Sequence, residues 1–275
     1  MKPRPFDYVR ADSVDEALSL LAEHGDEARV LAGGQSLMAM LNLRLADPSL
    51  LIDISRIADL DTIRDLGDTI EVGAAVTQNA LLAWSQLSRR LPLLAAALPF
   101  VGHFQTRNKG TVCGSIAHAD PSSELPLSLA LLGGEVVLRA KGGTRVLAAE
   151  AFQLGMLSTA RAADELITAV RFPAHAGGGV AFREVARRHG DFAIIAVGAV
   201  VEHERAVRLG VGGMSGAPVV RRLALDGAAA VKAAVAELAA ELEGYEDLHA
   251  SAALRRDLLR NLAPLAIEEA QQCAA

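Results

Sequence analysis

Residues 111–126 read TVCGSIAHADPSSELP and gather a cysteine, a histidine, an aspartate and a glutamate among small and hydroxyl side chains. Cys113 allows three interpretations: a nucleophile, a metal or cluster ligand, or a small residue where the backbone approaches a ligand closely. A catalytic thiolate needs a positioned base, and spacing alone does not bring His118 to it. His118 and Asp120 form a weak metal pattern, since Asp120 before Pro121 is typical of a turn. For Cys113, a small residue at a close approach of the backbone is favoured, and the nucleophile and ligand interpretations stay open.

The composition indicates a folded globular protein of mixed helix and strand. The chain has 275 residues, of which 51% are hydrophobic and 4% aromatic, and its apolar residues are mostly Ala, Leu and Val. That mixture favours α+β or α/β over an all-β sandwich. The net charge is −6 and no basic block exceeds two residues, so nucleic acid is not expected as a partner. With no leader-like segment and no long apolar run, we expect a cytoplasmic protein without a membrane span.

Cysteine usage restricts the redox chemistry. The chain has two cysteines, Cys113 and Cys273. An iron–sulfur cluster or a structural zinc site needs about four ligands, so this chain alone predicts neither. A disulfide between the two is not expected in the cytoplasm. Any redox chemistry would therefore use a bound organic cofactor.

Periodicity and turn residues predict the order of the elements. The capping pattern of Ser13 and Glu16 opens an amphipathic helix that ends at Gly25. Further strands, hairpins and helices follow from alternating apolar runs and glycine-containing turns. These are a strand in ARVLAGG (28–34), a strand at 50–54, a helix from Ser36, hairpins around 67–68 and 141–143, a strand at 164–173, three strands after 180, and two C-terminal helices.

The segment AHAGGG at 174–179 is the best candidate for a domain boundary. Its residues are small and flexible and show no apolar period. The chain is therefore expected to divide into a first domain at 1–175 and a second at 176–275.

Two segments rich in small residues could bind a phosphate. AGGQS at 32–36 follows a predicted strand and precedes a predicted helix, so its backbone N–H groups could approach an anion. The alternative is a tight connection that needs positive φ. TVCGS at 111–115 is a similar turn, but spacing alone does not show that the two segments meet. Neither GxGxxG nor GxxxxGK[ST] occurs, so the Rossmann and Walker signatures do not apply.

Four segments in order, AGGQSL, GTVCGSIAHADPSSELP, DELITAVRFP and ARRHGDFAI, resemble the FAD-binding medium subunit of the molybdenum hydroxylases. The resemblance is to the carbon monoxide dehydrogenase type, itself similar to the flavin domain of xanthine dehydrogenase, and it spans almost the whole chain. It implies an α+β fold. A two-subdomain FAD-binding part (PCMH/vanillyl-alcohol-oxidase-like), at about 1–58 and 59–175, precedes a C-terminal three-stranded antiparallel sheet with helices.

The resemblance also implies FAD as cofactor and assigns contacts to it. The residues so assigned are Ala32, Gly33, Gly34, Gln35, Ser36, Thr111, Val112, Cys113, Gly114, Ser115, Glu124, Ile167, Arg183 and Asp191, with no catalytic side chain and no metal ligand. Arg183 or Glu184 stands where the family often has lysine. Cys113 replaces a usual glycine, so a positive φ there would add strain of about 1 kcal/mol.

The distribution of cofactors among the subunits of this family implies the function. In such complexes a small subunit carries two [2Fe–2S] clusters and a large subunit carries the molybdenum cofactor, in a dimer of heterotrimers. The expected task of this chain is to pass electrons from a partner's clusters to an external acceptor, with FAD supplying the redox chemistry. Two alternatives remain: a stand-alone FAD oxidoreductase with His118 or His189 as base, or an assembly subunit that has lost FAD.

Overall fold

The N-terminal subdomain is built on a small parallel sheet. A computed structural model describes residues 2–203 and 206–274. The first elements are β1 (Asp7–Arg10), α1 (Val14–His24), β2 (Ala28–Leu31), α2 (Leu37–Leu43) and β3 (Leu50–Asp53). The strand β3 lies between β1 and β2 and pairs in parallel with both. The carboxyl ends of the three strands therefore share one edge, where the segment that joins β2 to α2 begins.

The predicted cap of α1 is confirmed. The Ser13 hydroxyl accepts the N–H of Glu16 at 3.1 Å, and the Glu16 carboxylate accepts the N–H of Asp12 at 2.7 Å. These two bonds satisfy amide groups that the first helical turn leaves without partners. Gly25 ends the helix with a φ of 50°.

The second subdomain carries a five-stranded antiparallel sheet in the order β4-β5-β10-β6-β7. Both predicted hairpins are confirmed as β4–β5 and β6–β7. Buried residues of both subdomains, among them Ile52 and Val72, belong to one hydrophobic core. The elements are β4 (Ile63–Asp65), β5 (Thr69–Gly73), α3 (Gln78–Leu82), α4 (Leu87–Arg90), α5 (Pro92–Ala97), α6 (Phe104–Arg107), α7 (Val112–His118), α8 (Glu124–Leu132), β6 (Glu135–Ala140), β7 (Gly143–Ala148), α9 (Ala149–Phe152), β8 (Gln153–Gly155), β9 (Ser158–Thr159) and β10 (Leu166–Pro173).

The C-terminal part is an antiparallel sheet covered by two helices. Its elements are β11 (Val180–Val185), β12 (Ile195–His203), β13 (Ala206–Gly212), β14 (Val219–Ala224), α10 (Ala228–Glu241) and α11 (Ala252–Ala274). The α+β class is confirmed, but the count of three strands is wrong, because β14 pairs with β13 as a fourth. The sequence of β14, VVRRLA, is mostly exposed at the sheet edge, and its adjacent pair Arg221 and Arg222 breaks the apolar alternation that predicts a strand.

The helix α8 joins the two parts of the molecule. Leu127 and Leu131 on α8 are fully buried in a cluster with Phe182 and Val200 of the C-terminal sheet. At Gly198 in β12 an added Cβ would lie 2.5 Å from Leu131 Cδ2, so a side chain there would have to displace the end of the Leu131 side chain. Since α8 begins at Glu124, this packing fixes one of the predicted site residues relative to the C-terminal part.

Candidate cofactor site

A cavity of about 810 Å³ lies between the two N-terminal subdomains and the loop that precedes β12. Small-molecule sites range from about 300 to 1,000 Å³, so this cavity suits a large ligand. All but two of the predicted cofactor residues line it, namely Ala32, Gly33, Gly34, Gln35, Ser36, Thr111, Cys113, Gly114, Ser115, Glu124, Ile167 and Asp191. The fold therefore brings together residues that are distant in the sequence.

The first glycine segment, residues 32–36, touches the chain just before the second. A Cβ added to Gly33 would lie 2.1 Å from the carbonyl oxygen of Lys109 and 2.7 Å from Cα of Gly110. Gly34 has a φ of 69°, a conformation that favours glycine. Both glycines are thus required locally, one for the close approach and one for the backbone angle. The two segments meet, which spacing alone could not show.

The first glycine segment presents unused backbone donors. Within residues 2–203 and 206–274, the amide N–H groups of Gly33, Gly34, Gln35 and Ser36 have no hydrogen-bond acceptor, although the carbonyls of Gly34 and Ser36 accept from α2. Successive free amides around a concave backbone form a binding site for an anion. The Gln35 side chain donates to the carbonyl of Gly33 at 3.1 Å and braces the segment.

The second glycine segment, residues 111–115, corrects the prediction of a turn. It is the start of α7, whose N-cap Thr111 accepts the N–H of Gly114 at 3.0 Å. The N–H of Val112 donates to Val76 and that of Ser115 to Thr111. Among the four amides of 112–115, only that of Cys113 finds no acceptor in the described chain. The free group that residue 113 offers to a ligand is therefore its backbone N–H.

The thiol of Cys113 is part of the core. The residue is 3% exposed, and its Sγ lies 3.5 Å from the carbonyl oxygen of Val72. Burial raises the pKa of the thiol far above its usual range, so almost no nucleophilic thiolate exists at neutral pH. Its φ is not among the positive values, so the Cβ causes no backbone strain in the helix. Both the nucleophile and the ligand interpretation of Cys113 lose their support.

Cys113→Ala is expected to keep FAD affinity within about threefold and to lower the free energy of unfolding by about 1 kcal/mol. The backbone N–H is unchanged, while the core loses the packing of Sγ. Equilibrium FAD titration and urea unfolding of the same preparation measure the two quantities. Loss of FAD from a variant that unfolds like the wild type would assign a role to the thiol itself.

Two predicted residues lie outside the cavity lining. Val112 is fully buried in the core. Arg183 pairs with Glu269 of α11 at 2.8 Å, and the neighbouring residue Glu184 points to the other face of β11, as alternation along a strand requires. Of the two alternatives for the family's frequent lysine, Glu184 has a buried carboxylate oxygen, whereas Arg183 is held against α11 by its ion pair.

Glu124 is buried, and Glu184 of β11 is partly buried. Burial raises the pKa of Glu124 to about 8, and the negative charges of Glu184 and Asp120 add to this. Burial likewise raises the pKa of Glu184 to about 7. Its Oε2 is buried without a hydrogen-bond partner among the described residues. At neutral pH the carboxyl group of Glu124 beside the cavity is therefore mostly protonated, because its pKa lies about one unit above 7.

Glu124→Gln is expected to flatten the pH dependence of stability. Folded Glu124 keeps its proton up to a pKa of about 8, whereas an unfolded glutamate loses it near 4.5. The stability that protonated Glu124 contributes is thus fully present below pH 4.5 and is lost as the pH rises through about 8. As the pH rises from 5 to 8, the free energy of unfolding of the variant should increase by at least about 1 kcal/mol relative to that of the wild type, measured by urea unfolding of the FAD-free chain. Glu150→Gln, at an exposed position, is the control. If the free energy of unfolding falls with pH in parallel in the wild type and in Glu124→Gln, the explanation is wrong.

Three further residues of the cavity wall were not predicted. Gln78 is 5% exposed, and its Oε1 has no partner in the described chain. Arg161 and Phe192 line the cavity from the segment before β10 and from the loop before β12. A glutamine after the N-cap of α3 looks like an ordinary helical residue, so its sequence context carries no signal of a ligand.

The described residues hold neither a candidate metal site nor a candidate membrane span. Residues 2–203 and 206–274 contain no group of three or more His, Cys, Asp or Glu side chains that could hold a metal ion. No helix within these ranges is long and apolar enough to cross a membrane.

The fold and the amide-lined cavity define a protein that binds a large anionic organic cofactor. Residues 4–175 match the FAD binding domain in molybdopterin dehydrogenase, and residues 180–270 match the CO dehydrogenase flavoprotein C-terminal domain. The chain therefore belongs to the FAD-binding medium subunits of the molybdenum hydroxylase family, a family of oxidoreductases. The resemblance carried by the four sequence segments is confirmed.

Known relatives agree with this assignment. The chain is 42% identical over 203 residues to 6-hydroxypseudooxynicotine dehydrogenase complex subunit alpha of Paenarthrobacter nicotinovorans, covering 73% of this chain and 68% of that protein. It is 34% identical to the nicotine 6-hydroxylase medium subunit of the same organism, covering 98% and 99%. A chain of carbon monoxide dehydrogenase from Hydrogenophaga pseudoflava, solved without the Mo-pyranopterin moiety, superposes with a TM-score of 0.93 at 32% identity over 100% of both chains.

The residues present fit FAD. A diphosphate needs several N–H donors, and the first glycine segment together with the Cys113 amide supplies them. The unpartnered Oε1 of Gln78 adds a buried acceptor for an N–H or O–H group of an organic cofactor. A side chain at Gly33 would meet the backbone of Lys109 and Gly110, so only glycine lets the two segments lie this close.

Proposed function

We propose that this chain holds FAD in the cavity and acts as the electron-transfer subunit of a three-component molybdenum enzyme. Electrons would arrive from [2Fe–2S] clusters of a small partner subunit and leave to an external acceptor, while substrate is oxidised at the molybdenum cofactor of a large subunit. A dimer of such heterotrimers is the assembly we expect. The observation that carries the proposal is that the amides of residues 33–36 and of Cys113, which have no acceptor among the described residues, belong to segments that line one cavity.

The chain's own residues have a binding task in this scheme. The amides of the two glycine segments would hold the diphosphate, and Ile167, which is 5% exposed, would border the ring system with an apolar surface. Asp191 and Glu124 line the same cavity and would contact polar parts of the cofactor. Bound FAD supplies the redox chemistry, so the protein's contribution is position and electrostatics. No nucleophile is required, consistent with the buried, protonated thiol of Cys113.

The partner subunits are inferred from two observations. The chain has two cysteines, one buried and one exposed near its end, so it cannot hold an iron–sulfur cluster by itself. Relatives carry names such as complex subunit alpha and medium subunit, which describe parts of larger enzymes. The electron donor is therefore expected on another chain.

The test compares the FAD-loaded chain alone with the chain in its complex. Under anaerobic conditions, we expect small organic substrates to leave the flavin absorbance of the isolated chain unchanged. Addition of partner subunits that carry iron–sulfur and molybdenum centres should allow the same substrate to bleach it. Direct bleaching of the isolated chain would instead support a stand-alone oxidoreductase, and failure to bind FAD at all would support an assembly subunit.

A further inference from the structure

Arg255 is a buried cation in the first turns of α11. It is 1% exposed, although a guanidinium is costly to bury unless its donors find partners. Its Nη1 donates to the carbonyls of Ile194 and Gly213, the latter at 2.9 Å, and its Nη2 pairs with Asp247. The ring of Tyr245 lies 4.2 Å from its Cζ. These partners show which parts of the fold the side chain holds together.

The first of these parts is the loop that precedes β12. Gly190, Asp191 and Phe192 line the cofactor cavity, and Ile194 follows two residues later. The N–H of Ile194 donates to Val185 at 2.8 Å while its carbonyl accepts from Arg255. The base of the loop is therefore anchored on both sides of one residue, by the sheet and by the guanidinium.

The second part is the segment that precedes α8. The N–H of Gly213 donates to the carbonyl of Pro121 at 2.9 Å, and the Tyr245 hydroxyl lies 3.2 Å from Oγ of Ser122. Ser123 and Glu124, the next residues, line the cavity. A Cβ on Gly213 would lie 2.5 Å from the carbonyl oxygen of Ile194, so the two carbonyls that Arg255 bridges belong to closely packed backbones.

We propose that Arg255 is a positioning residue for the cofactor site, whose single guanidinium fixes the segments 120–124 and 190–194 relative to each other. The inference rests on the proposed function, because it assigns the role through the cavity that holds FAD. Lysine at this position would keep the charge beside Asp247 but has no planar fork to donate to several acceptors at once while stacking on Tyr245. Arg255→Lys therefore separates the geometry of the clamp from its charge.

The experiment compares Arg255→Lys with a matched core variant, Leu259→Ala. Leu259 lies one turn further along α11, is fully buried in the C-terminal core, and has no part in the clamp. We expect Arg255→Lys to speed amide hydrogen exchange at 120–124 and 190–194 about tenfold, to weaken FAD binding about tenfold, and to change the visible circular dichroism of bound FAD. Leu259→Ala should lower the melting temperature by several degrees and change none of these.

A third variant, Tyr245→Phe, keeps the ring under Arg255 and removes only the hydroxyl near Ser122. Faster exchange should then be confined to 120–124. The proposal is overturned if Arg255→Lys exchanges and binds FAD like the wild type, or if Leu259→Ala reproduces its full effect. Wild-type chain that binds no FAD would refute the proposed function, while the exchange data from the FAD-free chain would still decide the role of Arg255.

Discussion

Gly33→Ala is expected to abolish FAD binding, with a loss of affinity of at least about 100-fold, or about 2.7 kcal/mol. The new Cβ would lie 2.1 Å from the carbonyl oxygen of Lys109 and 2.7 Å from Cα of Gly110. Both atoms are backbone and cannot rotate away, so the two glycine segments must separate. Separation moves the free amides of 33–36 away from that of Cys113, and a diphosphate could then reach only one set.

Gly142→Ala is the matched control for this variant. Gly142 lies in the turn between β6 and β7, and an added Cβ there meets no atom within 4 Å. Both variants are titrated with FAD, and their circular dichroism and thermal unfolding are recorded. We expect loss of FAD binding in Gly33→Ala and wild-type affinity in Gly142→Ala. Retained binding in Gly33→Ala would show that the close approach of the two segments is dispensable.

Gly114→Val is expected to weaken FAD binding about 100-fold from the opposite side of the site. A Cβ at Gly114 would lie 2.7 Å from Oγ1 of Thr111, which is the cap that accepts the Gly114 amide. A branched side chain must therefore displace the cap and crowd the cavity wall beside the free amide of Cys113. Loss of an N-cap costs about 1 kcal/mol of stability, so the effect on binding should exceed the effect on folding.

Cys113→Ala, the adjacent substitution, is the control for this second variant. The side chain of Cys113 faces the core, whereas Gly114 lies against the cap and the cavity. Isothermal titration of both proteins with FAD should give a large difference in dissociation constant for neighbouring positions. Equal losses of FAD affinity in the two variants would mean that any change in the first turn of α7 disturbs the site. The explanation by the backbone amide of Cys113 would then be wrong.

Local signals in the sequence predicted local structure well. The Ser13–Glu16 capping box, the hairpins and the strand β2 depend on neighbours in the chain, and each formed as predicted. The small residues and hydroxyls of 111–115 indicate a turn, whereas in the structure Thr111 is the N-cap of α7. A threonine followed three residues later by glycine is compatible with both structures.

Long-range geometry was not predictable from the residues alone. The meeting of Gly33 with Lys109 requires two subdomains to pack, and no local pattern encodes it. The choice between Arg183 and Glu184 depended on the register of β11 against β12, because a shift by one residue exchanges the two faces. The bridging role of Arg255 involves segments about 60 residues apart and appears only once the C-terminal helix is placed.

The most direct measurement is an experimental structure of the FAD-loaded chain. We expect the FAD diphosphate within hydrogen-bonding distance of the amides of Gly33, Gly34, Gln35 and Ser36 on one side and of the Cys113 amide on the other. Density for FAD elsewhere, or a diphosphate that contacts neither segment, would contradict the account.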